Sequence, residues 1–250
     1  MVTTGRVPQL ADAEELYRRR ARLAGVVDPG LVPNLQGMAR ALAIGADEIA
    51  LFASASEQFS QANINCSIAE SVQRFEPVIE MAQEYAIPIR VYLSCAFGHP
   101  DDHNIEANKV ADLAELLMTM GCREISLADT FGICTPAHAQ RILAAVAERI
   151  SVDQIAVHFH DTRGQALANI LASLEMGVSV IDASVAGLGG CPFAKSASGN
   201  VVTEDVVYML NGMNIETGVD LNKLIDVGKF ICNKLGRDNQ SKVGRIGNKP

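Results

Sequence analysis

The sequence lacks the features that mark a membrane protein or a secreted protein. Its 250 residues contain no apolar run as long as the roughly 20 residues that span a bilayer. The opening residues 1–16 have no apolar core of the kind that secretory signals carry. No CxxC pair occurs among the six cysteines, which are Cys66, Cys95, Cys122, Cys134, Cys191 and Cys232. We therefore expect reduced thiols, a cytoplasmic location and no membrane partner.

Concentrated positive charge is missing as well. The chain has 21 Lys and Arg against 29 Asp and Glu, a formal net charge of −8. Its longest basic run, Arg18–Arg20, lies in a helical pattern beside Glu14 and Glu15, which is typical of a solvated helix face. No nucleic-acid partner is expected, although local lysines, helix N-termini or a metal can still bind an anionic substrate.

The pattern that is present indicates alternating helices and strands. Three segments, 41–52, 116–129 and 172–185, each run from a helix end through a glycine into a short apolar strand. Glycine just past a helix adopts the left-handed conformation without a Cβ penalty. Repetition of this unit predicts a parallel α/β sheet. With 48% hydrophobic residues and no linker, residues 1–250 are predicted to form a single domain.

Six strands and eight helices follow from this pattern. The strands are predicted near Leu31–Pro33, Glu48–Ser54, Ile89–Cys95, Glu124–Asp129, Gln154–His160 and Val180–Val185. The helices are predicted near Ala11–Leu23, Leu35–Ile44, Ser67–Tyr85, Glu106–Met120, Pro136–Ile150, Gln165–Met176, Thr203–Leu210 and Leu221–Leu235. A dinucleotide-binding fold is disfavoured, because no glycine-rich loop follows an early strand. Periodicity alone does not separate an open sheet from an incomplete barrel.

The most informative local motif is a pair of histidines on the fifth predicted strand. His158 and His160 are separated by one residue, so they project from the same face of that strand. In a barrel, the carboxyl ends of the strands carry the active site. Two imidazoles at this spacing can hold one divalent metal ion. The alternative is a hydrogen-bonded histidine pair near a strand end.

A glycine-rich loop follows the last predicted strand. It contains Gly187, Gly189 and Gly190, and it ends in Cys191-Pro192. Such a loop can approach a ligand closely, and Cys191 is a candidate acid, base or nucleophile. A surface loop with an incidental thiol is the alternative. Asn200, just beyond, offers an amide oxygen to a hard cation or, alternatively, caps the next helix.

Other polar residues stand where predicted strands end or helices begin. Asp129 ends the fourth strand and is either a site carboxylate or a turn-forming residue. Ser94 and Thr130 stand at neighbouring strand ends and are candidate substrate contacts. Asn63 leads into a helix and either contacts substrate or belongs to a turn or cap.

Five motifs, taken in order, resemble the hydroxymethylglutaryl-CoA lyase family. The most specific is SVAGLGGCPF at 184–193, which is similar to the family's active-site cysteine loop. The others are NINCSIAES at 63–71, EISLADT at 124–130, HFHDTRGQALAN at 158–169 and SGNVVTEDVVYML at 198–210. The resemblance runs from Val7 to the C-terminus, so it covers nearly the whole chain.

The resemblance implies a fold, a reaction and a set of site residues. The fold is a (β/α)8 TIM barrel, and the reaction is the cleavage of 3-hydroxy-3-methylglutaryl-CoA to acetyl-CoA and acetoacetate. Mg²⁺ or Mn²⁺ is implied on His158, His160 and Asn200, together with an Asp from the family's first strand. Cys191 would protonate the leaving carbanion. Asp129 would act as the base or would support a residue that contacts the substrate, and His158 could also carry a proton. A homodimer and a part in leucine breakdown or ketone-body formation are implied as well.

One departure from the family pattern leaves alternatives open. The family's first strand carries an Arg-Asp pair, and the only such pair in this chain, Arg237-Asp238, follows a late helix. We therefore expect the six strands to correspond to barrel strands three to eight, in a barrel that is incomplete on its N-terminal side. The cation would then lack one ligand. A lyase for a longer branched 3-hydroxyacyl-CoA and an impaired fragment that only binds CoA esters or partner chains are the alternatives.

Overall fold

The computed structural model describes residues 12–102, 105–189 and 199–247. Its strands are β1 Pro29–Leu31, β2 Glu48–Ser54, β3 Ile89–Ser94, β4 Glu124–Asp129, β5 Ile155–Phe159 and β6 Val180–Asp182. Its helices are α1 Ala13–Arg19, α2 Leu35–Ala43, α3 Glu57–Ile64, α4 Ile68–Glu84, α5 Ala107–Thr119, α6 Pro136–Ala147, α7 Ala166–Glu175, α8 Thr203–Gly212, α9 Leu221–Leu235 and α10 Lys242–Ile246. Short 3₁₀ turns occur at Val152–Gln154 and Val185–Gly187.

The six strands form one parallel sheet in the order β1-β2-β3-β4-β5-β6. Every strand therefore pairs with its neighbour in sequence, and at least one helix lies between each pair along the chain. Successive parallel strands joined by helices are the repeating unit of a barrel, whereas a doubly wound sheet reverses its strand order at a switch point. The topology thus favours the barrel over the open sheet.

The two faces of the sheet differ in chemistry. The outward positions are apolar and buried, because they pack against the surrounding helices; they include Ile49, Leu51, Val91, Leu93, Ile125, Leu127, Ile155 and Val157. The alternate positions carry charged and polar groups; they include Glu48, Arg90, Tyr92, Glu124, Ser126, His158 and Asp182. Since successive residues of a strand point to opposite faces, this alternation defines an inner face that is built for polar contacts.

Contacts across the inner face show that the sheet is curled. The guanidinium of Arg90 on β3 lies 2.7 Å from the carboxylate of Asp182 on β6. In a flat sheet three strand spacings would separate those backbones by about 14 Å. The register also places Asp182 level with Ala128, four residues beyond Glu124, the partner of Arg90. Curling and a stagger of this kind together are typical of barrel strands, which tilt against the barrel axis.

All six predicted strands are present, β2 and β4 with the predicted bounds and β3 and β5 within one residue of them, whereas the predicted bounds of β1 and β6 were wrong by more. The first strand is Pro29–Leu31 and not Leu31–Pro33, because Pro33 has no N–H for a ladder and the chain turns at Asn34, whose side chain accepts from Gly37 N at 2.9 Å. The last strand ends at Asp182 and not at Val185. There Ser184 N donates to Val201 O at 2.9 Å, and the chain leaves β5.

The predicted helices are confirmed apart from their ends, and two further helices were missed. The capping box of α4 is present, with the Ser67 hydroxyl and the Glu70 carboxylate each accepting a backbone N–H of the other. Helix α1 ends at Arg19 and not at Leu23, because Arg20 is extended. Helix α3 was missed, because EQFSQANI is polar and lacks a clear apolar stripe. The short α10 was missed as well.

Two expectations about the chain as a whole can be compared with the described residues. Within them, no helix combines the length and the apolarity that crossing a bilayer requires. Five of the six cysteines lie in the described part, and all five are buried free thiols.

The capping box gives a stability test. Ser67→Ala removes the side-chain bond to Glu70 N, so we expect the free energy of unfolding in urea to fall by about 1 kcal/mol. Thr135→Ala is the matched control, because Thr135 is the N-cap of α6 but makes no side-chain cap bond. Equal losses in the two variants would contradict the energetic role of the box.

Candidate active site

The two predicted histidines lie side by side at the carboxyl end of β5. His158 is on the inner face of the sheet, paired in register with Asp182 on β6. The ring of His160 lies just beyond the strand, and the two ring centroids are 5.4 Å apart. His160 is buried, whereas His158 is partly exposed. The alternation of the strand therefore brings both imidazoles to one end of the sheet, as predicted.

Asn200 is brought to the same place by a short antiparallel bridge. Residues 199–201 run back along the end of β5, where Val201 N donates to Phe159 O at 3.0 Å. The bridge pairs His160 directly with Asn200. Paired residues in an antiparallel bridge project to the same side, so the amide and the imidazole are neighbours. The capping alternative for Asn200 is wrong, because the N-cap of α8 is Val202.

The orientation of the Asn200 amide is fixed by the start of the glycine-rich loop. Its nitrogen donates to Leu188 O at 3.1 Å, which leaves the amide oxygen directed elsewhere. A Cβ on Gly189, whose φ is +97°, would lie 2.7 Å from that nitrogen. A Cβ on Gly199 would lie 2.3 Å from Gly187 O. Glycine is therefore required at both positions for the two segments to meet.

A charged network lies behind His158 on the inner face. Asp182 accepts from Arg90 Nη2 at 2.7 Å and from Ser126 Oγ at 2.7 Å. Its Oδ2 is 3.4 Å from His158 Nδ1, a long contact for a hydrogen bond. That nitrogen is buried and has no well-formed hydrogen bond in the described part of the chain. Burial by itself would raise the pKa of Asp182, but His158, Arg90 and Ser126 outweigh it and lower that pKa.

Arg90 joins three groups and so organises this network. Its Nε lies 2.6 Å from Glu124 Oε1, and its Nη1 donates to the Tyr92 hydroxyl at 3.0 Å. The Tyr92 ring in turn meets the His158 ring edge-on, with centroids 5.9 Å apart. Burial raises the pKa of Tyr92, so that side chain is a neutral phenol. His158 is thus enclosed by a phenol ring on one side and a carboxylate on another.

Asp129 has a different position from the one predicted for a site carboxylate. It shares the outward parity of Ile125 and Leu127, and it is 1% exposed. Its two oxygens accept from the backbone N–H groups of Ile133 and Cys134, both at 3.0 Å. Burial raises its pKa to about 6, against the opposing effect of these bonds. The carboxylate therefore organises the loop after β4, and its role as a base stays a prediction.

The predicted substrate contacts are placed at the same end of the sheet or beside it. Ser94 ends β3 on the inner face and is buried. Thr130 follows β4, and its hydroxyl accepts from Cys95 N at 2.9 Å, so it joins the ends of β3 and β4. Asn63 lies in the last turn of α3 and is partly buried. Cys191 lies outside the described residues.

The donor set at the end of β5 fits a divalent cation. It offers two imidazoles and one amide oxygen, and the amide nitrogen is already used by Leu188 O. Because His158 turns Nδ1 toward Asp182, its Nε2 is the nitrogen left for coordination. No cluster of three or more His, Cys, Asp or Glu with metal-binding geometry occurs in residues 12–102, 105–189 and 199–247. Further oxygen ligands would complete the coordination shell of the cation around His158, His160 and Asn200.

Glu204 lies next to the site, although no pattern in the sequence singles it out. It is 0% exposed, and both carboxylate oxygens accept from Ala186 N, at 2.9 and 3.1 Å. Ala186 has a φ of 55°, a conformation that a non-glycine residue holds only with support. Burial raises the pKa of Glu204. The carboxylate thereby fixes the turn that leads into the glycine-rich loop, but in the sequence it resembles an ordinary first-turn acid of α8.

Comparison with known proteins points to one family. The family model HMGL-like matches residues 20–231. The mitochondrial hydroxymethylglutaryl-CoA lyase of Gallus gallus is 56% identical over 239 residues, covering 96% of this chain and 80% of that protein. Relatives include proteins named as mitochondrial and as cytoplasmic.

Two solved structures extend the likeness to three dimensions. The hydroxymethylglutaryl-CoA lyase of Pseudomonas aeruginosa has a TM-score of 0.95 at 48% identity, covering 98% of this chain and 82% of that one. An HMG-CoA lyase from Acinetobacter baumannii, in complex with coenzyme A and 3-methylmalate, has a TM-score of 0.94 at 37% identity, covering 98% and 80%. The predicted α/β barrel class is confirmed by these neighbours. Since the family model covers most of the chain and the likeness extends along nearly all of it, this protein belongs to the HMGL-like family of hydroxymethylglutaryl-CoA lyases.

Proposed function

We propose that this chain cleaves 3-hydroxy-3-methylglutaryl-CoA to acetyl-CoA and acetoacetate. The observation that carries the proposal is the meeting of His158, His160 and Asn200 at the end of β5, next to the start of the glycine-rich loop. Membership of the lyase family supplies the substrate class, because the relatives are named for that compound.

The reaction needs one proton to move from oxygen to carbon. A base takes the proton of the C3 hydroxyl, and the oxygen electrons form the ketone of acetoacetate. The C2–C3 bond breaks, and its electron pair remains on C2 as a thioester enolate. Protonation of C2 then gives acetyl-CoA, so no oxidant, reductant or water is consumed. The protein must therefore orient the hydroxyl, accept its proton and return a proton to C2.

His158, His160 and Asn200 are the residues that would hold Mg²⁺ or Mn²⁺. When bound, such a cation acts as a Lewis acid that favours loss of the hydroxyl proton. The side chains contribute by fixed placement: the bridge holds Asn200 opposite His160, and Leu188 O orients its amide. Placement by backbone pairing keeps the donors together without reorganisation when substrate arrives.

Two groups are candidates for the base, and they differ in their surroundings. Asp129 has a pKa of about 6, which suits a base near neutral pH, but its oxygens are buried and hold the loop after β4. His158 is partly exposed, but its Nδ1 faces Asp182. Cys191 is proposed as the group that protonates C2, because a thiol stands at that position in the loop motif. Ser94, Thr130 and Asn63 are proposed to contact the substrate.

The resemblance also supports proposals about context. We propose a homodimer, a cytoplasmic location and a role in leucine breakdown or ketone-body formation. The homodimer and the pathway rest on likeness to the family, and relatives named as cytoplasmic support the location. The alternative substrate is a longer branched 3-hydroxyacyl-CoA. A higher kcat/KM for that ester than for 3-hydroxy-3-methylglutaryl-CoA, measured on the same protein, would favour the alternative.

The activity is tested with the thiol variant. The purified chain with Mg²⁺ or Mn²⁺ is expected to release acetyl-CoA from the substrate. Cys191→Ser is expected to lower kcat by about 10²–10⁴-fold, because a hydroxyl is a far weaker acid, while the affinity for the ester stays within a few fold. Cys122→Ser, at the amino end of β4, is the control for loss of a thiol. Equal turnover by the Cys191 variant and the parent would remove the thiol from the mechanism.

The metal site is tested by calorimetric titration with Mn²⁺. His160→Ala is expected to weaken binding by at least about 100-fold, since one of three protein donors is lost and water replaces it poorly. His138→Ala is the matched control, because His138 is on α6 and packs edge-on against Phe97. Unchanged affinity in the His160 variant would contradict its assignment as a ligand.

The buried carboxylate gives a pH-dependent stability test. The folded pKa of Asp129 is about 6, above the ordinary value of 3.8, so the folded chain binds an extra proton between those two pH values. Its contribution to stability is therefore complete below about pH 4 and is lost as the pH rises through 6. The unfolding free energy of the parent minus that of Asp129→Asn should fall by roughly 1–3 kcal/mol from pH 4 to pH 7. A difference that stays flat over this pH range would contradict the raised pKa.

A further inference from the structure

Asp182 is the residue on which three strands converge, yet it touches the candidate ligand set only through His158. Its Oδ1 accepts from Arg90 of β3, and its Oδ2 accepts from Ser126 of β4. The same Oδ2 is 3.4 Å from Nδ1 of His158 on β5. In the described part of the chain, these three partners of the Asp182 carboxylate are all side chains that can donate a hydrogen bond.

The partners of Asp182 allow one arrangement of hydrogen-bond donors and acceptors around its carboxylate. Arg90 has only donors, so it must face an acceptor, and Ser126 is 0% exposed and donates to the same carboxylate. An ionised carboxylate is acceptor-only, so the third neighbour must also present a proton to it. In a neutral imidazole one nitrogen carries the proton and the other is the acceptor that binds a cation.

We propose that Asp182 is a positioning residue, whose carboxylate, held by Arg90 and Ser126, keeps the proton of His158 on Nδ1 and so leaves Nε2 to bind the cation. The inference rests on the proposed function in one respect, that His158 is a metal ligand. A carboxylate behind a ligating histidine fixes the ring and its tautomer, and such partners commonly change metal affinity by about 10–100-fold.

Two other described rings lie next to His158. Tyr92 presents its ring to the imidazole edge-on at a centroid distance of 5.9 Å, and its hydroxyl accepts from Arg90. The His160 ring centroid is 5.4 Å away. The 3.4 Å contact of Asp182 brings a carboxylate oxygen to Nδ1 of His158, and this oxygen favours the proton on that nitrogen.

Asp182→Asn tests the inference because an amide has one acceptor oxygen in place of two. Arg90 will keep that oxygen, since a guanidinium cannot accept a hydrogen bond. The NH₂ group then replaces Oδ2 and faces both Ser126 and His158. The Ser126 hydroxyl can rotate to accept a hydrogen bond from it. Nδ1 of His158 can accept only if it loses its proton. The proton moves to Nε2, the nitrogen that the cation needs. An amide in place of a carboxylate behind a histidine is known to favour the wrong tautomer.

Ser126→Ala is the matched control. It removes one donor from the same oxygen but leaves the carboxylate facing His158. We expect it to keep the Nδ1–H tautomer and to hold Mn²⁺ with an affinity within about threefold of the parent, against a loss of about 10–100-fold for Asp182→Asn.

The measurements are long-range ¹H–¹⁵N correlation spectra of the metal-free protein, labelled on histidine, and Mn²⁺ titration of the same samples. The expected result is the Nδ1–H tautomer of His158 in the parent and in Ser126→Ala, and the Nε2–H tautomer in Asp182→Asn. An Nε2–H tautomer in the parent overturns the inference without any variant, so a poorly folded Asp182→Asn does not leave it undecided. Retention of Nδ1–H or of full Mn²⁺ affinity in Asp182→Asn overturns it too.

The same experiment separates this inference from the proposed function. If the parent binds no Mn²⁺, the metal site fails, and with it the clause that gives Nε2 to the cation. The tautomer readout in the metal-free protein still decides whether Asp182 fixes His158.

Discussion

The ion pair between Arg90 and Asp182 spans the concave face of the sheet from the third strand to the sixth. Two charges removed from water are costly unless they are well paired and hydrogen-bonded, and here each has further partners. Arg90 also lies against Glu124 and Tyr92, and Asp182 also accepts from Ser126. The pair forms only when the sheet is curled and its strands are staggered. It therefore links the shape of the sheet to the position of the candidate site.

The inner face of the sheet has two levels of side chains, and the two levels have different roles. Near the amino ends of the strands, Glu48 pairs with Arg123, which adjoins β4. Burial raises the pKa of Glu48, although the charge of Arg123 opposes this effect. At the carboxyl ends lie His158, His160 and Asn200, whose side chains carry nitrogen and oxygen atoms that can bind a cation. The charged side chains near the amino ends hold the strands together, and the three residues at the carboxyl ends are the candidate metal ligands. Barrel enzymes commonly separate stability and chemistry in this way.

Much of the fold could be predicted because it depends on local signals. The helix–glycine–strand unit gave the alternation, and Gly45, Gly121 and Gly177 all have positive φ. The histidine pair followed from the two-residue period of a strand. The position of Asp129 could also have been found by counting alternation from Ile125 and Leu127, which face outward. Its residue type and its place at a strand end are typical of a site carboxylate, but the two-residue alternation of the strand turns its side chain outward.

What could not be predicted depends on contacts between distant segments. The partners Arg90 and Asp182 are 92 residues apart, and only the curl of the sheet brings them together. Glu204 resembles an ordinary first-turn acid, and its function depends on the positive φ of Ala186 in another segment. Helix α3 was missed because its polar sequence relies on the Ser56 cap and on the burial of Phe59. In each case the decisive energy is tertiary, and single-sequence patterns do not carry it.

The bridge between residues 199–201 and β5 has a consequence for how this site can evolve. Gly187 O and Gly199 lie in contact, and the Asn200 amide is tied to Leu188 O, so the two ends of the segment between them are clamped together. Asn200 takes its place from pairing with the strand, and the number of residues in that segment does not set it. Natural drift or laboratory exchange can therefore change the number of residues in that segment while Asn200 stays in register, provided that Cys191 is kept.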